Sequence, residues 1–191
     1  MKRIVLTFGL ISGAIMSVLM LSTVPFMHKI GFNRGMVLGY TTMVLAFLLV
    51  FFGIRSYREN VGNGYISFGR ALGVGLLIML ITCAFYVITW EFVYFNFMPD
   101  FAEKYGAFML DNMRAAGASA QEIAAKAEEM KRFKVLYDNI FFNVAMTFLE
   151  PLPVGLIMTF VSAAILRKRR QGQQDGVKTT LVHQENPVNP V

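Results

Sequence analysis

The sequence is poor in the residue types that build most catalytic and metal sites. Its 191 residues include one cysteine, Cys83, so no disulfide can form within the chain. It has two histidines, His28 and His183, and these are too few for an all-histidine metal site within one subunit. The H-E-x-x-H, G-x-S-x-G and P-loop motifs are also missing. We therefore expect a protein that is not an enzyme and that needs neither a cofactor nor a metal.

Charge is also sparse, because 16% of the residues are charged and 55% are hydrophobic. A soluble domain of this length would be less apolar and more charged. The apolar residues concentrate in four runs, each near or above the roughly 20 residues that cross a bilayer as a helix. These runs cover about 4–26, 36–54, 71–97 and 140–166. The sequence therefore predicts an all-α polytopic membrane protein, a four-helix bundle surrounded by the lipid bilayer.

The domain organisation follows from these runs. A four-span membrane domain is expected over 1–170, and the polar, proline-punctuated segment 171–191 is expected to be a disordered cytoplasmic tail. The first run follows Lys2 and Arg3, as in a signal peptide, but it is longer than a typical h-region and no small-x-small cleavage site closes it. We expect it to be a retained first span.

The basic residues lie at the ends of the spans, which explains the net charge of +6 without a nucleic-acid partner. Lys2 and Arg3, the loop 55–70 and the segment 167–178 carry most of them on one side of the predicted bundle. Short loops rich in lysine and arginine stay in the cytoplasm. Both termini are therefore predicted to be cytoplasmic.

The segment 99–139 between the last two spans is predicted to be an extracytoplasmic helical hairpin. Asp100 with Glu103, and Ser119 with Glu122, are start signals for two helices, and Gly117 is suited to end the first. Each helix carries one apolar stripe. The stripes either pack on each other and cap the bundle, or lie on the membrane surface or on a partner.

Small residues recur at four-residue spacing in every span, a pattern that lets helix backbones approach closely. We expect them to pack helices within one bundle, and the alternative is a homodimer formed through the face of Gly9, Gly13 and Ser17. The predicted packing glycines are Gly9, Gly13, Gly39, Gly73 and Gly155.

Two glutamates interrupt the apolar runs, and ionisable residues in a span are the first place to look for function. Counting from the basic anchors places Glu91 at the outer boundary, where a charge needs no special role, and Glu150 about 6 Å within the hydrocarbon. Prolines that loosen helices gather at the same level: Pro25, Pro151 and Pro153.

Three interpretations of Glu150 remain open. It could be structural, hydrogen-bonded to Thr23, Thr89 or His28. It could bind a proton, a cation or a small ligand, together with Glu91 and His28, in a water-filled vestibule. It could instead act as a general acid or base, although the sequence offers no second reacting group.

Five segments resemble a known family in order and spacing: FGIRSYR at 52–58, GYISFGRA at 64–71, MPDF at 98–101, MRAAGA at 113–118 and FLEPLPVG at 148–155. They are similar to a four-span bacterial membrane protein family, domain of unknown function 4199. This resemblance implies the bacterial inner membrane and the four-span topology, and it implies no activity.

The leading hypothesis for function is a non-enzymatic accessory or scaffold component whose outer hairpin faces a membrane or periplasmic protein partner. The alternative is a small transporter or channel, formed as a homo-oligomer, that uses Glu150 in the outer half of the bundle.

Overall fold

The computed structural model describes residues 1–168, apart from the side chain of His28, and these residues form helices. In chain order the helices are α1 (Lys2–Thr23), α2 (Met27–Asn60), α3 (Phe68–Phe97), α4 (Phe101–Ala115), α5 (Ala120–Tyr137), α6 (Ile140–Leu149) and α7 (Leu152–Leu166). A 3₁₀ turn, Val24–Phe26, joins α1 to α2. The predicted all-α fold is confirmed. The predicted disordered tail, 171–191, lies outside the described residues.

Within residues 1–168, four helical segments are long and apolar enough to cross a membrane, so the protein is a membrane protein. The candidate spans are Lys2–Phe26, Lys29–Asn60, Phe68–Phe97 and Ile140–Leu166. The second is longer than the predicted 36–54 at both ends, because residues 29–35, apart from Gly31, and residues 55–60 are also helical. Helix α2 is interrupted at Gly31, where the chain reverses; the φ of 72° at this residue lies in the left-handed region that glycine tolerates.

The four spans form one bundle in which α3 is central. Helices α1 and α3 run parallel, since Gly9 and Gly13 lie against Ile81 and Phe85. Helices α2 and α7 run the other way, and both pack on α3. One end of the bundle therefore collects the start of α1, the end of α2, the start of α3 and the end of α7. We call this the basic end, because Lys2, Arg3, Arg58, Arg70 and Arg167 lie there; the opposite end is the hairpin end.

The predicted packing glycines fall into two groups. A Cβ built on Gly9, Gly13 or Gly155 would lie within about 3 Å of atoms of a neighbouring helix, so these glycines permit close packing inside the chain. A Cβ on Gly39 or Gly73 would meet no atom of the described residues within 4 Å. Within the described residues, Gly39 and Gly73 therefore make no close helix contact of the kind seen at the other three, and their packing role stays a prediction.

Helices α4 and α5 form the predicted hairpin. Ser119 and Glu122 make a complete capping box at the start of α5. Gly117 ends α4 with a φ of 79°, and the amide of Ala118 donates to the carbonyl of Met113, as in a Schellman motif. Asp100 precedes α4 without a side-chain capping bond and pairs with Lys104 instead.

The hairpin packs on itself and on the bundle. Gly106 of α4 faces Met130 of α5. The ring of Phe32, just after the Gly31 reversal, lies among three rings of α4 and stacks on Phe108 at a centroid distance of 5.0 Å. Phe101 makes an edge contact with Trp90 of α3 at 4.8 Å. Much of each apolar stripe is therefore covered by the chain itself.

Candidate functional site

Three aromatic side chains of α3 donate hydrogen bonds across the hairpin end of the bundle. Tyr86, Trp90 and Tyr94 are four residues apart, so they form one stripe along the helix. Tyr86 Oη donates to Glu150 Oε2 at 2.8 Å, Trp90 Nε1 to Tyr137 Oη at 3.0 Å, and Tyr94 Oη to Asp138 Oδ1 at 2.7 Å. We call these three bonds the aromatic ladder. It ties the central helix both to the base of the hairpin and to the fourth span.

Glu150 lies where the fourth span is broken. Helix α6 ends at Leu149 and α7 begins at Leu152. Pro151 and Pro153 have no amide hydrogen, so two backbone carbonyls of the preceding turn lose their usual donors. The sequence identified this break from the two prolines, and the structure places the carboxylate of Glu150 against α3 there.

The hydrogen-bond partner of Glu150 differs from those proposed from sequence. Thr23 donates to the carbonyl of Met20, and Thr89 bonds to Ser17 and to a carbonyl of its own helix, so neither reaches Glu150. Tyr86, 64 residues earlier in the chain, holds it instead. The side chain of His28 lies outside the description, and Pro25 lies in the 3₁₀ turn that follows α1.

Glu91 differs from Glu150 in that its carboxyl group has no hydrogen-bond partner among the described residues. Both of its carboxyl oxygens are buried, and neither has a hydrogen-bond partner among residues 1–168. The sequence predicted that Glu91 lies at the outer boundary, where a charge needs no special role; in the structure, protein atoms enclose its carboxyl group. A buried charge without a partner is strongly unfavourable.

The charges of both glutamates affect the pKa of one hydroxyl group, that of Tyr137. Burial raises the pKa of Tyr137, at the end of α5, and the charges of Glu150 and Glu91 raise that pKa further. The nearby hydroxyl of Thr147 and the hydrogen bond from Trp90 act in the opposite direction. The hydroxyl of Tyr137 therefore lies within electrostatic reach of both carboxyl groups, which the sequence could not place together.

A buried asparagine organises the start of the fourth span. Asn143 is fully buried, and its side-chain nitrogen donates to the carbonyl oxygen of Tyr137 at 3.1 Å. Its side-chain oxygen accepts a hydrogen bond from Thr147 at 3.0 Å. Sequence reasoning missed Asn143, Tyr86 and Tyr137. The available signals were an amide inside an apolar run and the four-residue aromatic spacing on α3.

This layer of carboxyl, phenol and amide groups is suited to holding a proton or a singly charged cation. Carboxyl and phenol oxygens can exchange a proton within hydrogen-bonding distance, as Tyr86 and Glu150 are placed. No three histidine, cysteine, aspartate or glutamate side chains within the described part of the chain group closely enough to hold a metal ion. Cys83, one turn before Tyr86, is buried in the apolar core.

A family model described as protein of unknown function (DUF4199) matches residues 7–168. The match confirms the resemblance noted in the sequence and includes every residue of the aromatic ladder and both glutamates. No curated protein and no solved structure matches the chain.

Proposed function

This chain belongs to the family described as protein of unknown function (DUF4199), and we propose that it is a non-enzymatic membrane protein that takes up a proton at Glu91 and Glu150. The observation that carries the proposal is the buried carboxyl group of Glu91, which lacks a hydrogen-bond partner among residues 1–168. Ionisable groups of this kind in membrane spans mark proton and ion sites.

A proton is the ligand that this geometry favours. It neutralises a carboxylate without any further ligand, whereas a divalent cation in an oxygen site takes about six or more. Glu150 already accepts one bond from Tyr86, so it is held in place when charged. Glu91 has no such support, and we expect it to bind the proton first.

The proposal is uptake from one side rather than passage through the subunit. Towards the basic end, the space between α2, α3 and α7 is filled by buried apolar side chains such as Val50, Ile54, Val74, Ile78 and Leu166. The carboxyl groups and the aromatic ladder lie towards the hairpin end. With both termini in the cytoplasm of a bacterial inner membrane, the proton would come from the periplasm. Transport would require a path between subunits.

The chain provides its own reporter for a test, because Trp90 is the single tryptophan and belongs to the aromatic ladder. We expect the emission of the purified protein in lipid nanodiscs to change with pH. The Glu91→Gln variant should lose most of this change, and Glu150→Gln should shift its midpoint. Glu129→Gln is the matched control, since Glu129 is an exposed partner of Lys126 on the hairpin.

Two results would contradict proton uptake at this pair. One is an emission titration that is the same in Glu91→Gln, Glu150→Gln and the unmodified protein. The other is a titration that Glu129→Gln abolishes as completely as Glu91→Gln does, because the response would then come from the hairpin surface.

A second candidate function is the accessory or scaffold role, with the hairpin facing a protein partner. The supporting observation is that the hairpin is fixed to the bundle while its outer surface carries exposed, mostly paired charges. Deleting the hairpin would remove Tyr137 and Asp138 from the aromatic ladder and disturb the bundle. Reversing the charges of Lys131 and Arg132 leaves the ladder in place. An unchanged set of co-purified membrane proteins in that double variant would argue against the role.

A further inference from the structure

The basic end of the bundle contains an arginine whose hydrogen-bonding capacity is poorly used. Arg58, near the end of α2, has a buried Nε without a partner among the described residues. Its Nη1 lies 3.5 Å from the carbonyl oxygen of Leu166, and its Nη2 lies 3.3 Å from Glu59 Oε1. Charge-assisted bonds are usually about 2.7–2.9 Å long. The guanidinium group therefore lacks a strong acceptor.

The nearby acid, Glu59, does not give Arg58 a strong hydrogen-bond acceptor of its own. Glu59 also accepts a 3.0 Å bond from Arg55 Nε, so one carboxylate serves two guanidinium groups. Within residues 1–168, Glu59 is the one acid at this end of the bundle. The basic residues that share the end with Arg58 are Lys2, Arg3, Arg55, Arg70, Arg167 and Lys168.

The backbone holds this region in a fixed shape. Ile66, in the loop before α3, and Lys168, just after α7, exchange two backbone hydrogen bonds of 3.0 and 2.9 Å. The Nζ of Lys168 lies 5.7 Å from the ring centre of Tyr65. We call this pairing the basic-end clasp. It fixes the end of α7, whose last carbonyl faces Arg58, against the loop.

We propose that Arg58 and the basic-end clasp form a binding site for an anionic phosphate group. A guanidinium fork matches two oxygens of a phosphate, which would be a stronger acceptor for Nη1 and Nη2 than the groups they now contact at 3.5 and 3.3 Å. The Arg58 side chain is 23% exposed although its Nε is buried, so a group at the protein surface can reach the terminal nitrogens. Basic pockets between spans at the cytoplasmic surface bind anionic lipid head groups. The phosphate can belong to such a lipid or be a free anion.

The test compares thermal unfolding of the purified protein in neutral detergent with and without added phosphate groups. One series receives phosphatidylglycerol, one receives phosphatidylcholine and one receives inorganic phosphate. We expect phosphatidylglycerol to raise the Tm. The Arg58→Gln and Arg58→Lys variants should need about tenfold more lipid for the same rise, the loss expected for one charge-assisted bond. Arg58→Lys keeps the charge and removes the fork, so it also serves if Arg58→Gln does not fold.

Arg70→Gln is the matched control, because it removes one exposed positive charge from the same end without touching the buried Nε. The Arg70→Gln variant should retain nearly all of the rise in Tm with phosphatidylglycerol. A rise with phosphatidylglycerol alone assigns the site to a lipid head group, and an equal rise with inorganic phosphate assigns it to a free anion. The proposal is overturned if neither anion raises the Tm, if Arg58→Lys responds like the unmodified protein, or if Arg70→Gln loses as much as Arg58→Gln.

Discussion

Replacing Gly13 by alanine tests how closely α1 and α3 pack. A Cβ built on Gly13 would lie 2.5 Å from Cγ and 2.9 Å from Cβ of Phe85. The contact with Cβ cannot be relieved by turning the ring, since Phe85 Cβ moves only with the helix backbone. The two helices would therefore have to separate by roughly 1 Å to reach an ordinary carbon–carbon distance of about 3.5–4.0 Å. Gly73→Ala is the matched control, because a Cβ there meets no described atom within 4 Å.

The expected magnitude follows from two opposing effects. Overpacking of a well-packed contact lowers the free energy of unfolding by about 1–3 kcal/mol. Alanine in place of glycine in a helix raises it by up to about 1 kcal/mol. Because both variants share the gain from alanine, Gly13→Ala should be about 1–3 kcal/mol less stable than Gly73→Ala, which should itself be neutral or slightly more stable than the unmodified protein.

The assay is reversible unfolding in mixed micelles with increasing sodium dodecyl sulfate, followed by the emission of Trp90. Equal stability of the two alanine variants would refute the packing described for α1 and α3. If Gly13 instead lay between two copies of the chain, Gly13→Ala would weaken association and leave the unfolding of the monomer unchanged. Chemical cross-linking of the same samples separates these outcomes.

Three further predictions concern the hairpin end. Tyr86→Phe removes the hydrogen bond to Glu150 and should lower the free energy of unfolding by about 1–2 kcal/mol in the same assay. Phe32→Ala removes the ring that joins the bundle to α4, so amide hydrogen exchange in Phe101–Ala115 should accelerate about tenfold. Hydrogen bonds from Ser119 lower the pKa of Glu122 below its ordinary 4.5, so the stability this carboxylate adds is fully present above pH 4.5 and is lost as the pH falls through its folded pKa. Exchange in α5 should therefore accelerate at low pH, and Glu122→Gln should remove this pH dependence.

The parts of the fold that the sequence predicted are those encoded by local signals. Each span needs about 20 apolar residues in succession, and that length can be read without knowing any neighbour. The hairpin also depends on short motifs. The capping box of Ser119 and Glu122 and the left-handed Gly117 define two helix ends within six residues.

The contacts within the site depend on helix rotation, which the sequence did not reveal. Tyr86 and Glu150 meet because α3 and the broken fourth span turn these faces towards each other, and no local pattern specifies that. Counting residues predicts a depth for Glu91 but could not show that protein atoms enclose its carboxyl group. The same limit explains why Gly73 was predicted to pack although no described atom lies within 4 Å of a Cβ built there. Four-residue spacing describes a stripe on a helix and not the neighbour that faces it.

The basic-end clasp also has a consequence for the order in which the bundle assembles. Its two backbone segments are roughly 100 residues apart, so it can form only after all four spans have been made. Helices α1, α2 and α3 can already pack together while α7 is still absent, as their mutual contacts do not involve it. Completion of the bundle would then occur at the membrane surface on the basic side, when Lys168 reaches Ile66. An incomplete chain would leave the backbone amide and carbonyl of Ile66 without the partners that Lys168 supplies.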